Sequence, residues 1–458
     1  MKLRNFIIAV NLLTFWPALA AAHVSEQGFV LLLPTGAYTA AGVAVVALTV
    51  VALFAMPPQF MQRLFSVRAV AAPNVSRAAR ICSLLSLGLM CGVMYLGLFG
   101  PRDPLSNLMP LSFWTLGWIV AISLSAFVGN LWQWLNPWTG LADLLGLTKP
   151  ILPLPTSVGV WPATLVLIGF AAFLLADPAP DDPTRLAQFV FWYWGAQFLG
   201  LIIFGRAWLH HAEVGHALFA ALARLSALRL SQPAGVGGPG WQIVHVAPVP
   251  GAGLFALVFL GIGSFDGLNE TFWWLGMIGV NPLAFPGRSA IIGVTVMGLL
   301  ASIALLIAVF GLTVWLGMRM TKAEKPFAAV CGRLALAVLP IALVYHIAHY
   351  LPSFLVSIQY TIAALSDPLA RGADWLGLQP FRVTTGFFNR IDTVRLIWTT
   401  QAGLVVLGHV WSVLLAHRLA MDLFGTHRRA AVGTLPLSVF MIAYTFLGLW
   451  LLAAPKGA

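Results

Sequence analysis

The sequence predicts an all-α fold: a polytopic transmembrane helical bundle of about ten spans following a cleaved signal peptide, with interfacial or re-entrant segments between spans. Three observations predict it. Of 458 residues, 60% are hydrophobic and only 9% charged, more apolar surface than a soluble globule can bury. The apolar residues come in runs of roughly twenty, the length at which a helix crosses a hydrocarbon core. The cations, finally, fall in alternate loops, the pattern expected of cytoplasmic segments. Eighteen tryptophans suit a chain with many membrane interfaces.

The elements follow in order. Lys2 and Arg4 precede an apolar segment, Phe6 to Trp16, and the small-residue run Ala18 to Ala22. That is the charge, core and cleavage pattern of a secretory signal, with the cut after Ala22 and His23 as the first mature residue. Residues 23–458 then form a single bundle domain. The first span runs from Tyr38 to Met56 and stops at Pro57 and Pro58; the loop after it carries Arg63, Arg68, Arg77 and Arg80 and no acid. Further spans are expected over Ile81–Gly100, Leu111–Val128, Val158–Leu175 and Leu186–Phe204. The stretch Asn130 to Gly146 is too interrupted by Trp, Asn, Pro and Gly to cross, and reads as an interfacial or re-entrant segment. The glycine-rich Ala234 to Gly240 lacks the Lys-Ser/Thr of a phosphate loop and reads as a flexible turn. A short sixth span, Pro248 to Gly263, leads to Asp266 and Glu270 in an outer loop. Spans over Ala290–Leu316, Phe327–Tyr350, Leu396–Leu415 and Pro436–Leu452 complete the set.

Charge counting supports one topology. The loops on one side of these spans hold fourteen Lys or Arg against four acids (Asp143, Glu213, Glu324 and Asp422), while the other side of the mature chain holds eight against ten. Both mature termini are thereby expected outside. The formal charge of +11 then reflects topology and attraction to anionic lipid, not nucleic-acid binding. Cys82, Cys91 and Cys331 have no metal-type spacing and read as buried, inert thiols.

Ionisable groups inside spans are costly, and so are the first candidates for chemistry. His346 and His349, in VYHIAHYLP, lie three residues apart on one helical face, where the eighth span should emerge into water. They are expected either to share a divalent transition metal, copper or zinc, or to bridge helices by hydrogen bonds. His23 is a candidate third ligand, because an amino-terminal histidine can chelate through its amine and imidazole; Asp266 and Glu270 could add carboxylates. His409 stands alone in the ninth span, as a helix-to-helix donor would. Asn136 before Pro137 and Asn281 before Pro282 read as helix breaks that could wall a pocket. The group HHAEVGH, His210 to His216, is the densest in histidine, but its spacing is not HExxH and it sits on the basic side. No serine or cysteine nucleophile motif is present, so any hydrolysis would be metal-assisted.

Several short stretches occur in one order: AAH after the signal, Asn136-Pro-Trp138, Phe265-Asp-Gly267, Tyr345 to Leu351, and Gly408 to Ala420 with its GHV and AHRLA. Together they resemble a family of bacterial polytopic membrane proteins known as fenitrothion hydrolase or fenitrothion-hydrolase-like. The resemblance implies an inner-membrane protein linked to hydrolysis of an organophosphate triester at its aryl ester bond; it transfers no catalytic residues. Three readings are therefore carried forward. The chain is a metal-assisted hydrolase acting on a lipophilic substrate from a periplasm-facing site; or a copper-type metal transporter or assembly factor for a periplasmic metalloenzyme; or a non-catalytic subunit alongside a membrane or periplasmic partner.

Overall fold

The computed structural model describes residues 29–73, 76–147, 149–378 and 380–456. His23 and the expected signal segment lie outside the described residues. The fold is all-α: among the described residues, ten helices are long and apolar enough to cross a membrane. We number them α1 (Thr35–Ala55), α2 (Ser76–Phe99), α3 (Leu108–Val128), α4 (Thr156–Ala176), α5 (Pro183–Phe204), α6 (Ala252–Asn269), α7 (Ile292–Thr321), α8 (Phe327–Ser366), α9 (Ile391–Phe424) and α10 (His427–Ala453). An even number returns the chain to the side it started from. The packing agrees, since Leu33 and Tyr38 beside α1 share a cluster with Leu449 and Leu451 near the end of α10.

α6, α8 and α9 form the buried centre, with more than half of their most apolar windows enclosed by protein, whereas α2 is mostly uncovered along its length. Small residues let backbones meet, as they do where helices associate in lipid. A Cβ on Gly317 of α7 would stand 1.9 Å from the carbonyl oxygen of Gly433 on α10, and one on Gly253 of α6 would stand 2.3 Å from that of Gly332 on α8.

α9 runs on to Phe424 and α10 begins at His427, so the basic loop expected between Leu415 and Pro436 is mostly helix. Two further boundaries, beside the site, differ from the sequence reading for one shared reason. α8 does not end at Tyr350 but runs through Pro352 to Ser366. A proline inside a helix leaves the carbonyl four residues earlier without its N–H partner. Here that carbonyl is Ala348, and the Gln401 amide of α9 donates to it at 2.7 Å. Likewise α6 does not end at Gly263 but continues to Asn269, because the polar group it carries inside, Asp266, finds partners on α8. His346 and His349 consequently lie mid-helix, and Asp266 lies within a span and not in an outer loop.

The glycine run expected as a flexible turn is instead the middle strand of a small antiparallel sheet. Strands β1 (Val67–Ala69), β2 (Leu228–Arg229) and β3 (Gly235–Gly237) stack in the order β1-β3-β2, with Arg68 opposite Val236. The glycines are there for close approach: a Cβ on Gly237 would stand 2.4 Å from the Ser66 carbonyl oxygen.

Candidate functional site

The site is built from the stretch Phe265-Asp-Gly of α6 and the stretch Tyr345 to Tyr350 of α8. Asp266 is 7% exposed, and an isolated carboxylate at that depth would be prohibitively costly. It is held from two sides. The Tyr350 hydroxyl donates to its Oδ2 at 2.6 Å, and His349 Nε2 approaches the same oxygen at 3.2 Å. Consecutive helical residues diverge by about 100°, which lets His349 and Tyr350 flank a single acceptor. One turn earlier, the Tyr345 ring stacks on His349 with centroids 5.9 Å apart and planes 12° apart. Its hydroxyl rests over Gly267, whose missing side chain makes the room: a Cβ there would lie 1.9 Å from the Tyr345 oxygen. That hydroxyl has no hydrogen-bond partner among the described residues.

His346 points elsewhere. Its Nε2 lies 3.0 Å from the carbonyl oxygen of Trp118 on α3; a carbonyl only accepts, so Nε2 carries the proton. The π-helical stretch Leu111–Ala121 of α3 returns to α-helix just past Trp118. The two histidines thus share a helical face without sharing a partner: one ties α8 to α3, the other ties α8 to α6. Between them lies a small cavity lined by Trp118, Phe259, Asp266, His346, His349 and Tyr350. It has room for about one water molecule.

The structure brings Asp266 and His349 together and sets His346 beside them. Among the described residues no group of three or more His, Cys, Asp or Glu side chains is placed to hold a metal ion. Glu270, one residue beyond α6, faces Lys456 at 3.8 Å and lines a separate outer pocket with Asn269, Arg288 and Thr295. Asn281 is exposed and caps the turn Pro282–Ala284. Asn136 is buried between two short helices, its side chain accepting from Thr139 N and donating to Trp132 O; the segment is pinned to α2 by Ser83. His409 donates from Nδ1 to Val405 O one turn back on α9, at 2.8 Å, leaving Nε2 buried without a partner among the described residues.

HHAEVGH folds into two short helices, Arg206–Ala212 and Val214–Ala223, with Glu213 as the N-cap of the second. Its carboxylate accepts from the backbone N–H of Gly215 and His216, the Tyr193 hydroxyl and the Trp132 indole. Burial holds its pKa above the ordinary carboxylate value, and these four donors offset only part of that rise. His210 Nδ1 meets His216 Nε2 at 3.0 Å. Burial, with the neighbouring His210 and His211, depresses His216 to about 3. Glu213 is therefore occupied as a junction of four elements.

The sequence reading missed Tyr345, Tyr350 and Trp118. The legible signal was Tyr350 next to His349, a second hydrogen-bonding group in an otherwise apolar helix. Nothing in the sequence pairs it with Asp266, eighty-four residues away. No family model matches this chain, and neither a curated protein nor a solved structure matches it.

Proposed function

We propose that this integral membrane protein translocates protons, with Asp266 as the proton-accepting group on the periplasmic side of a bacterial inner membrane and both mature termini periplasmic. One observation carries the reading: a carboxylate inside the spans shares its Oδ2 between a histidine and a tyrosine, beside a cavity sized for one water. Such intramembrane carboxylate–histidine groups are the parts of proton relays. A proton delivered through the cavity water resides on Asp266 or on His349, and a shift between the two is a move of one hydrogen along their contact. Tyr350, donating to the carboxylate, stabilises the ionised form.

The test is purified protein in liposomes holding a trapped pH dye, with a potassium diffusion potential imposed through valinomycin. The wild type should acidify the lumen faster than empty liposomes, and Asp266→Asn should fall to the empty-liposome rate. Equal rates for Asp266→Asn and wild type would sink the reading.

The water-sized cavity also supports a second reading in line with the motif resemblance. Asp266 and His349 form a general-base pair that draws a proton from that water for attack on a lipophilic phosphotriester. A metal-assisted version, with copper or zinc, requires Asp266 and His349 to exchange their mutual contact for the ion. Nitrophenol release from an aryl phosphotriester, lost in His349→Gln, would establish turnover; metal content that falls in the same variant would establish the ion.

A further inference from the structure

We propose that the imidazole pair His417–His427 is the cytoplasmic terminus of the proton path; this rests on the proton-translocating reading above. α9 and α10 meet in a tight turn, with Gly425 at φ 91° and Thr426 capping α10. The hairpin brings His417, two turns before the end of α9, against His427, the first residue of α10. Nε2 of His417 and Nδ1 of His427 lie 3.1 Å apart, with the rings edge-on at 78°. They share one hydrogen. The two remaining nitrogens, Nδ1 of His417 and Nε2 of His427, are buried and have no partner among the described residues.

That geometry is an imidazole relay. A proton binds His417 Nδ1, the shared hydrogen passes from His417 Nε2 to His427 Nδ1, and His427 Nε2 gives up its own proton toward the cytoplasmic face. One N–H bond forms at each step as another breaks, and no electrons change hands. Buried polar atoms rarely go unpaired, so such atoms call for an explanation.

The same kind of atom recurs nearer the site. Tyr345 Oη, beside Asp266, has no partner among the described residues and lies over Gly267. One turn back along the same face of α6 is Ser264, whose hydroxyl bonds that of Tyr444 on α10. The Tyr444 ring packs against that of His409, with centroids 6.3 Å apart. With Nδ1 committed to Val405 O, neutral His409 offers a bare Nε2 as proton acceptor. His417 follows eight residues along α9, about 12 Å on, while Ser412 between them donates to the Ala337 carbonyl. Partnerless atoms of three histidines and a tyrosine thus lie on α8, α9 and the start of α10.

The experiment compares Asp266→Asn, His427→Gln and His417→Gln in the liposome assay, together with thermal unfolding of each. The relay predicts that His427→Gln lowers proton flux roughly tenfold or more with an unchanged unfolding temperature. Wild-type flux in His427→Gln, with Asp266→Asn blocked, overturns the relay and leaves the proton reading standing. Wild-type flux in Asp266→Asn removes the reading itself. Flux and unfolding temperature falling together in both histidine variants would make the pair a staple and overturn the proposal.

Discussion

Gly267→Ala tests the central contact of the site without touching an ionisable group. The new methyl would stand 1.9 Å from Tyr345 Oη and 3.2 Å from its Cζ. The ring cannot swing clear, because it is stacked on His349 and is only 5% exposed. It also lies 3.4 Å from where a Cβ on Gly263 would be. Overpacking of this kind costs about 1–3 kcal/mol, and a rigid phenol puts the cost near the top of that range. Replacing a helical glycine by alanine returns about 0.5–1 kcal/mol of backbone entropy, so the net loss is about 2–2.5 kcal/mol. Tyr345→Phe alone should be close to neutral, since the hydroxyl it removes has no partner among the described residues. It also removes the clashing atom, so the double variant should recover most of the loss. Equilibrium unfolding by SDS in mixed micelles measures all three. A coupling near zero, or a Gly267→Ala protein as stable as wild type, would refute the placement of Tyr345 over α6.

Gly317→Ala should be the more damaging glycine change. The added Cβ meets the Gly433 backbone carbonyl at 1.9 Å, which no side-chain rotation relieves, so α7 and α10 must separate. A loss of about 3 kcal/mol should show in the same unfolding assay, with no rescue from side-chain truncation nearby. His216 predicts a pH dependence. Its folded pKa of about 3 lies below the ordinary 6.5, so below pH 6.5 the unfolded chain binds the extra proton. Its contribution is intact above that pH and is lost as pH falls toward 3, by up to about 1.4 kcal/mol per pH unit. His216→Asn should flatten the acid side of the stability curve measured from neutral pH downward; an unchanged slope would contradict its burial.

The span count and their order were legible because a membrane helix must satisfy its backbone internally and present apolar side chains over a length set by the bilayer. Those demands are local, and each apolar run meets them within itself. The limits of α6 and α8 were not legible. Asp266 and Pro352 look like stop signals from within their own segments, and only partners from other helices cancel them: His349 and Tyr350 for the carboxylate, Gln401 for the freed carbonyl of Ala348. The role of HHAEVGH was hidden for the same reason, since its glutamate is engaged by Tyr193 and Trp132.

By itself, then, the sequence determined that this chain is a bundle of about ten apolar helices and that His346, His349 and His409 carry unusual polarity inside them. The tertiary structure alone decided that His346 and His349 part company, that Asp266 lies inside α6 and meets His349, and that His417 and His427 meet. Spacing along one helix sets which face a side chain occupies. The partner it finds there depends on the neighbouring helix, and in a low-dielectric interior that partner decides whether a polar group is a cost, a hinge point or a site.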